Sequence, residues 1–331
     1  MLILSADDVR QAAPMPAAID AVAEAFVQLS TQRATVPLRV PISQPQLDAH
    51  TFFMPAHLAQ SNALGLKVVS VFPHNAARHG LPSIHALVVL LDAETGRPIA
   101  AMDGTYLTAL RTGAASGAAT RALARPDAHV LALFGAGAQA PTQVQAVCAV
   151  RPIEQIWIVN RTRERAEALI ALLRTRGIQA ALQIAPSAAA ALSEADVVCC
   201  ATTASSPLFD DADLRPGMHI NGVGSFTPHM AEVPVATVAR ARVVVDQRAA
   251  AWAEAGDLIQ ARDAGALDER GVVELGEVID GRSPGRTDAE EITFFKSVGN
   301  AVQDVAVAQL VMAEAAKLGL GTEVALDHRS A

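Results

Sequence analysis

Glycine spacing in the middle of the chain is the feature that most directly indicates chemistry. The segment VLALFGAGAQA places Gly135, Gly137 and Ala140 in the pattern G-x-G-x-x-G/A, after a predicted strand and before a predicted helix. There the first glycine makes a tight turn, the second lets the backbone approach a pyrophosphate, and helix N–H groups face the phosphates. We therefore predict a dinucleotide site that also includes Ala138 and Gln139. The alternative is that small residues only allow a close strand-to-helix crossing.

The end of the next predicted strand indicates which dinucleotide binds. In IWIVNRTRER, the residues Asn160, Arg161 and Thr162 stand where an NAD site would place a carboxylate on the ribose 2′-hydroxyl. An arginine can bind a 2′-phosphate through its planar fork of donors. We therefore expect NADP(H) as the preferred cofactor and NAD(H) as the other option. The alternative is a solvated helix N-terminus.

Three cations lie in unusual sequence surroundings. Arg39 sits in an extended, proline-flanked segment, Lys67 interrupts the apolar run LGLKVVSV, and Arg111 begins a helix of small residues. A buried cation requires an anionic partner. The sequence therefore leaves two options for each: a ligand's anion, or a structural ion pair or snorkelling surface side chain.

Polar residues also follow two later strands. In open α/β sheets, ligands bind at the carboxyl ends of the strands. We therefore predict cofactor contacts at Thr202 and Thr203, after ADVVCCATT, and at Val223 and Ser225 in the turn that follows MHIN. Ordinary capping and turn chemistry is the alternative.

The elements that position these residues divide into two kinds. Between residues 51 and 102, strand-length apolar runs are separated by Gly, Pro and Asn, which predicts an antiparallel block. From Arg111 to about residue 300, apolar β-branched strands alternate with helices, which is typical of a parallel sheet covered on both faces. The predicted fold class is α/β, with a Rossmann domain and a second, α+β domain.

Composition excludes several classes of protein. The chain has 331 residues, of which 51% are hydrophobic and 18% charged, and a net charge of -8 argues against nucleic-acid binding. No apolar run reaches the roughly 18 residues of a membrane span. The N-terminus lacks a signal-peptide pattern, so we expect a cytoplasmic protein. The histidines of the segment HNAARH lack companion ligands, and we expect no metal.

Ordered motifs over almost the whole chain resemble the ornithine cyclodeaminase/μ-crystallin family. They are VPLRVP, GLKVVSVFP, GLPSIHALVVLLD, MDGTYLTALRTGAASGAAT, FGAGAQA, NRT, PGMHINGVGS, GDL, ELGEV and FFKSVGNAVQD. The resemblance implies a discontinuous architecture. Residues 114–300 would form the Rossmann domain, and residues 1–113 with 301–331 would form a substrate-binding and dimerisation domain of a homodimer.

The resemblance also assigns roles to the three cations. It implies that Arg39, Lys67 and Arg111 surround the carboxylate of an amino or imino acid beside the nicotinamide, with Lys67 and Arg111 as catalytic residues. An arginine can hold a carboxylate through two parallel hydrogen bonds, and a lysine can add charge or move a proton. It places His85 as a neighbour of the substrate.

One departure from the family decides between its activities. Cyclodeaminating members carry an aspartate two residues before the proline matching Pro228, and this chain has Phe226, which cannot accept a proton. Asp304 is the nearest substitute that the sequence offers. We therefore expect NAD(P)H-dependent reduction of a cyclic ketimine carboxylate, Δ1-pyrroline-2-carboxylate or Δ1-piperideine-2-carboxylate, to an L-amino acid, with Phe226 packed against the substrate ring.

Three alternatives to this activity remain. Two of them release ammonia: an ornithine cyclodeaminase with a displaced base, and an alanine-type amino-acid dehydrogenase. The third is an NADPH-bound small-molecule binding protein like μ-crystallin, without significant turnover. For the enzyme, the expected partner is a small imino- or amino-acid substrate.

Overall fold

A computed structural model describes residues 1–326, and the chain divides into two compact units. Unit 1 contains Met1–Arg111 and Asn300–Ala331, and unit 2 contains Thr112–Gly299. The predicted boundaries differ from these by one or two residues, and residues 327–331 of the predicted first domain lie outside the described part of the chain. The assignment of unit 1 to substrate binding and dimerisation stays a prediction.

Helices and mostly antiparallel strands make up the first segment of unit 1. The strands are β1 (Leu2–Leu4), β2 (Ala34–Thr35), β3 (Val40–Gln44), β4 (Ala49–Leu58), β5 (Ala63–Val71), β6 (Ile84–Asp92) and β7 (Pro98–Asp103). The helices are α1 (Ala6–Ala12), α2 (Met15–Ser30), α3 (Asn75–His79) and α4 (Gly104–Leu123), the last of which continues beyond Arg111.

Strands and helices alternate in unit 2. The strands are β8 (Val130–Phe134), β9 (Gln155–Val159), β10 (Ala181–Ile184), β11 (Val197–Cys200), β12 (His219–Gly222), β13 (Arg242–Val245), β14 (Val273–Glu274) and β15 (Thr293–Lys296). The helices are α5 (Ala140–Val150), α6 (Arg163–Thr175), α7 (Ala188–Leu192), α8 (Val235–Arg240), α9 (Arg248–Glu254), α10 (Gly256–Asp263) and α11 (Leu275–Ile279). The chain then returns to unit 1 with α12 (Ala301–Leu318) and β16 (Thr322–Glu323).

The sheet of unit 1 has the order β16-β1-β7-β6-β5-β4-β2, with β3 also paired to β4. Neighbouring strands from β4 to β7 are antiparallel, which confirms the predicted block. Along β5, Gly65, Lys67 and Val69 are buried and alternate with partly exposed residues. Helix α12 covers this face, since a Cβ at Gly65 would lie 3.4 Å from a methyl carbon of Val305. The period of two therefore puts Lys67 under α12.

The sheet of unit 2 is parallel throughout and has the order β10-β9-β8-β11-β12-β15-β13-β14. Its central strands, including β8, β11 and β12, are fully buried, as the continuous apolar sequences of β8 and β11 predict. The chain order reverses between β8 and β11, so their carboxyl ends form the ligand-binding crevice of a doubly wound sheet. The predicted Rossmann arrangement is confirmed.

Five strands lay outside the sequence prediction, namely β1, β2, β10, β14 and β16. The longest of them has four residues, so none contains enough alternating positions to form a pattern. β1 is held by pairing on both sides, parallel to β7 and antiparallel to β16. No helix within residues 1–326 combines the length and apolar character that a membrane span needs. In the same residues, no three His, Cys, Asp or Glu side chains converge as metal ligands do.

Candidate active site

The glycine-rich turn between β8 and α5 has one position fixed by the fold and one left open. Gly135 has φ +101°, and a Cβ there would lie 2.7 Å from the carbonyl oxygen of Ala201. Its N–H donates to the carbonyl of Val159 at 2.9 Å. A Cβ at Gly137 would meet no atom within 4 Å. The fold itself therefore requires glycine only at position 135, and the space beside Gly137 is available to a ligand.

Backbone donors face that open space at the start of α5. The N–H groups of Gly137, Ala138 and Gln139 have no acceptor among the described residues, and no side chain caps the helix at Gln139. Free N–H groups at a helix N-terminus, with the positive end of the helix dipole, form a phosphate site. The turn therefore fits the pyrophosphate of a dinucleotide.

The end of β9 braces this turn and presents a free arginine. Asn160 accepts a hydrogen bond from the N–H of Ala136 at 3.1 Å and donates to the carbonyl of Thr162 at 2.7 Å. Arg161 is exposed and forms no ion pair with the described residues. Asn160 therefore shapes the turn, and Arg161 remains available to an external anion.

A buried carboxylate that the sequence did not reveal joins the ends of β11 and β12. Glu232 Oε1 accepts from the N–H and the hydroxyl of Thr202 at 2.7 and 2.8 Å, and Oε2 accepts from the N–H groups of Gly224 and Ser225 at 2.7 and 3.1 Å. The hydroxyl of Ser225 lies 3.4 Å from the carbonyl of Met230. The polar groups of Thr202 and Ser225 are thus bound within the protein.

The other two predicted cofactor contacts, Thr203 and Val223, form fewer hydrogen bonds within the protein. Thr203 is exposed, and Val223 is half-buried with its N–H bonded to the carbonyl of Cys200. Both stay predictions as cofactor contacts. The structure places them on the same two loops as Thr202 and Ser225, after β11 and after β12.

The buried ion pair of Lys296 and Asp257 supports Glu232. Lys296 Nζ lies 3.0 Å from Asp257 Oδ2, and both side chains are fully buried. Asp257 Oδ1 accepts from the N–H groups of Glu232 and Val233 at 2.6 and 3.0 Å. Burial raises the pKa of Glu232, and Lys296 and the bonds from Thr202 oppose that rise. Burial alone would raise the pKa of Asp257 too, but Lys296 and the two N–H groups hold it below its ordinary value.

The predicted catalytic residues of unit 1 meet at one carboxylate. Lys67 Nζ lies 2.9 Å from each oxygen of Asp304, and Arg111 Nε lies 2.9 Å from Asp304 Oδ1. Arg111 Nη1 donates to Gln303 Oε1 at 2.6 Å, while Nη2 has no acceptor among the described residues. We call Lys67, Arg111, Gln303 and Asp304 the cationic cluster. The structural ion pair considered from the sequence is therefore present for Lys67 and Arg111.

The positive charge of the cationic cluster favours the binding of an anion in addition to Asp304. Burial lowers the pKa of Lys67 to about 7, assisted by Arg111 and Arg39 and opposed by Asp304. Arg39 is half-buried, with its guanidinium carbon 5.5 Å from the ring centre of Phe52. With Lys67 protonated, two cations face a single carboxylate, so the cationic cluster carries a net positive charge that a substrate carboxylate would neutralise.

Two predicted substrate neighbours do not belong to the cationic cluster. His85 is exposed on β6, opposite Ser70 of β5. Phe226 is partly buried and packs against the hydrophobic core of unit 2. Their roles in substrate binding stay predictions.

The family model described as "Ornithine cyclodeaminase/mu-crystallin family" matches residues 1–318. The chain belongs to the ornithine cyclodeaminase/mu-crystallin family. It is 40% identical over 326 residues to a Δ(1)-pyrroline-2-carboxylate reductase of Bacillus cereus, covering 98% of this chain and 99% of that one. It is 36% identical over 333 residues to an alanine dehydrogenase of Archaeoglobus fulgidus, covering 98% of both chains.

Solved structures of the family agree with the architecture of this member. The Δ(1)-pyrroline-2-carboxylate reductase of Thermococcus litoralis, in complex with NADH and L-proline, superposes with a TM-score of 0.94 at 38% identity, covering 98% of this chain and 100% of that one. The iminosuccinate reductase of Paracoccus denitrificans, in complex with NAD+, gives a TM-score of 0.90 at 32% identity, with 98% and 99% covered. The predicted class, an NAD(P)-dependent oxidoreductase acting on C=N bonds, is the class of these relatives.

Two acidic residues of this family member carry more of the site than their sequence context suggested. Asp304 was considered as a substitute base, yet it is bound to both predicted catalytic cations. Its signal is present in the sequence, because a single carboxylate interrupts the apolar helix AVQDVAVAQLV. Glu232, in MAEVP, has no such signal and is recognisable only from the two loops that it joins.

Proposed function

We propose that this family member uses NAD(P)H to reduce a cyclic ketimine carboxylate, Δ1-pyrroline-2-carboxylate or Δ1-piperideine-2-carboxylate, to the L-amino acid. The observation that carries the proposal is buried Lys67, with a pKa of about 7, bound to the same carboxylate as Arg111. An imine next to a carboxylate needs a proton donor beside a carboxylate-binding cation. The names of the reductases that resemble this chain support the same substrate class.

Arg111 binds the substrate carboxylate in this proposal. Its Nη1 donates to Gln303 and its Nε forms an ion pair with Asp304, which restrains the guanidinium and leaves Nη2 for the ligand. Such a preorganised fork loses little entropy when the anion binds. Arg39, which contributes positive potential at Lys67, is the second carboxylate ligand.

Lys67 acts as the proton donor. A group with a pKa of about 7 exists in both forms at neutral pH, so it can both give up and accept a proton. Lys67 Nζ passes a proton to the imine nitrogen, which makes the neighbouring carbon electrophilic. When bound at the glycine-rich turn, NAD(P)H would supply the hydride that this carbon accepts, which converts C=N to CH–NH and leaves NAD(P)+.

Arg161 supports a preference for NADP(H). It is exposed, has no ion-pair partner among the described residues, and follows β9, where an NAD site would hold the ribose 2′-hydroxyl with a carboxylate. A guanidinium there binds a 2′-phosphate through charge-assisted hydrogen bonds. Gly135 to Gln139 and the strand-end residues Thr202, Thr203, Val223 and Ser225 complete the dinucleotide site.

A homodimer is the proposed assembly. Leu38, Val40 and Ile42, on and before β3, are each more than half exposed, and Leu87 on β6 is 47% exposed. The strand register places Val40 and Leu87 in one row across a face of the sheet. An exposed apolar surface of this kind is costly for a monomer, and a second copy of the chain would cover it. The archaeal alanine dehydrogenase that resembles this chain, with a TM-score of 0.91 at 35% identity and 99% of both chains covered, is a dimer.

Phe226 disfavours the cyclodeaminase alternative. Its ring packs into the core of unit 2, and a phenyl group can neither bind an ammonium nor take a proton. Asp304 is not a free base either, because both of its oxygens face Lys67 and one also faces Arg111.

Oxidation of NADPH and NADH, measured in parallel with the two ketimines, tests the proposed function. We expect turnover with at least one ketimine, faster with NADPH. Lys67→Arg keeps the positive charge but has no pKa near neutrality, so it should retain substrate binding and lose turnover. Ammonia released from ornithine or alanine in the presence of NAD+, without ketimine reduction, would overturn the proposal in favour of a deaminating enzyme. Tight NADPH binding with no turnover would favour a binding protein.

A further inference from the structure

The end of β11 and the end of β12 are connected through one side chain. Thr202 follows β11 and donates twice to Glu232 Oε1, while Gly224 and Ser225 follow β12 and donate to Glu232 Oε2. Each carboxylate oxygen therefore serves one loop. We call this set of four hydrogen bonds the Glu232 clamp.

The Glu232 clamp requires an ionised carboxylate. All four partners are donors, three of them backbone N–H groups whose direction is fixed by the chain. A carboxylate accepts at both oxygens, whereas an amide or a protonated acid would turn a donor toward one of the two loops. No larger residue fits at Gly224, because a Cβ there would collide with Glu232 Oε1 and with the backbone of Thr202.

The pair of Lys296 and Asp257 keeps that carboxylate in place. Glu232 is fully buried, and desolvation by itself favours its neutral form. Lys296 provides the compensating positive charge, while Asp257 Oδ1 holds the backbone N–H of Glu232 at 2.6 Å. Glu232, Lys296 and Asp257, all buried and ionisable, therefore fix the geometry of the loops after β11 and β12.

The location of the Glu232 clamp indicates which half of the cofactor it serves. A doubly wound sheet consists of two mononucleotide-binding halves, and the ribose of the adenosine half is bound at the end of the second strand, here β9. Because β11 and β12 lie on the other side of β8, their carboxyl ends belong to the nicotinamide half.

We propose that Glu232 is a positioning residue that sets the nicotinamide half of the dinucleotide site by clamping the loops after β11 and β12. This inference rests on the proposed function for the identity of the cofactor. Glu232 touches neither substrate nor cofactor in this assignment. It acts through Thr202, Gly224 and Ser225.

The affinities of the Glu232→Gln variant for two ligands distinguish a positioning role of Glu232 from a general effect on stability. The ligands are NADP+ and 2′-phospho-ADP-ribose, which contains the same adenosine and pyrophosphate but no nicotinamide. We expect Glu232→Gln to weaken NADP+ at least tenfold and to leave 2′-phospho-ADP-ribose within twofold of the wild type. In turnover, the KM for NADPH should rise and kcat should fall.

Asp196→Asn is the matched control. Asp196 is also a buried carboxylate of unit 2 that accepts two backbone N–H groups, those of His129 and Val130, together with Arg125 Nη2. It lies immediately before β11, at the amino end of the sheet. This variant should unfold at a lower temperature than the wild type while binding both ligands within twofold of the wild type.

Glu232→Asp keeps the inference testable if the glutamine variant does not fold. Aspartate retains the charge opposite Lys296 but is one methylene shorter, so it reaches one loop and not both. We expect it to fold and to show a smaller loss of NADP+ affinity in the same direction. Equal weakening of both ligands, or unchanged NADP+ binding in a folded variant, would overturn the inference. A wild type that binds NADP+ but reduces no ketimine contradicts the proposed function alone.

Discussion

In the proposed function, the cationic cluster of unit 1 and the glycine-rich turn of unit 2 bind anions in opposite ways. In the cationic cluster, charged side chains are buried and oriented by a single carboxylate, Asp304. In the turn, no charged side chain takes part, and the site consists of free N–H groups and the space beside Gly137. The cationic cluster therefore depends on buried charged side chains, whereas the turn depends on unbonded N–H groups and on the space left because Gly137 has no Cβ. Substitutions in the cationic cluster should therefore change stability and activity together, whereas Gly137→Ala in the turn should change dinucleotide affinity and leave stability unchanged.

Asp304→Asn is expected to have the largest effect. Removing one partner of a buried ion pair costs about 3–5 kcal/mol of unfolding free energy, and here two cations lose the same partner. Asp304 also raises the pKa of Lys67, so without it Lys67 becomes a neutral amine at neutral pH and cannot donate a proton. We expect kcat to fall by more than about 100-fold, within the range for a lost acid–base catalyst. Urea unfolding and steady-state kinetics measure the two effects.

The control for Asp304→Asn is Glu314→Gln on the same helix. Glu314 forms only a surface pair with Lys317, so its loss should change the unfolding free energy by less than about 1 kcal/mol. A stable, active Asp304→Asn variant would mean that the cationic cluster does not depend on its carboxylate, and the contrast between the two sites would disappear.

A pair of alanine substitutions tests the glycine-rich turn. Gly135→Ala places a Cβ at φ +101°, 2.7 Å from the carbonyl of Ala201, and should cost about 1–3 kcal/mol of stability as well as dinucleotide affinity. Gly137→Ala meets nothing within 4 Å, so the protein should unfold at the wild-type temperature. Its methyl group occupies the ligand's space, and NADPH affinity should fall. Calorimetry with and without NADPH distinguishes the two variants, and equal destabilisation would contradict the assignment.

The parts of the structure that the sequence predicts best are those whose signals are local. The strand, the turn and the first residue of the helix around Gly135 occupy eleven consecutive residues, and each glycine of the turn has a separate physical requirement. The strands β4 to β9 are also predicted, since each contains a mainly apolar run of strand length. The three-residue strand β1 has no such signal, because its pairing partners β7 and β16 determine it.

Partners distant in sequence limit the prediction of the site. The unusual surroundings of Lys67 and Arg111 revealed that each needs an anion, but Asp304 lies 237 positions after Lys67. Glu232 and Thr202 are 30 positions apart, and nothing in either segment indicates the other. Whether a buried cation binds a protein carboxylate or a ligand is a property of the folded chain, and the cationic cluster does both in the proposed function.

The pH dependence of turnover sharpens the role of Lys67. Its folded pKa of about 7 lies below the ordinary 10.5, so the ammonium form is lost as pH rises through 7. We expect kcat/KM to fall by about tenfold for each pH unit above 7.

The effect of the Lys67 pKa on folding has the opposite sign. Between pH 7 and 10.5 the unfolded chain binds more protons at this lysine, so the unfolding free energy rises with pH. Lys67→Met should remove that rise, measured against the wild type by urea unfolding at pH 7 and 9.

Arg161→Gln is expected to have the smallest effect, confined to one cofactor. A charge-assisted hydrogen bond contributes about 1.5–3 kcal/mol, so kcat/KM with NADPH should fall by roughly tenfold or more, while that with NADH stays unchanged. Arg163→Gln is the control, because Arg163 is also exposed but pairs with Glu167 on α6, and it should change kcat/KM with neither cofactor.

Arg161 is exposed to solvent, so its contribution to NADPH binding should shrink as salt is raised from low to physiological strength. Backbone N–H groups in the turn carry no such net charge. A salt-dependent NADPH preference that Arg161→Gln abolishes would therefore separate the one charged contact of the dinucleotide site from the uncharged turn, and equal losses with both cofactors would place Arg161 among the turn's structural residues.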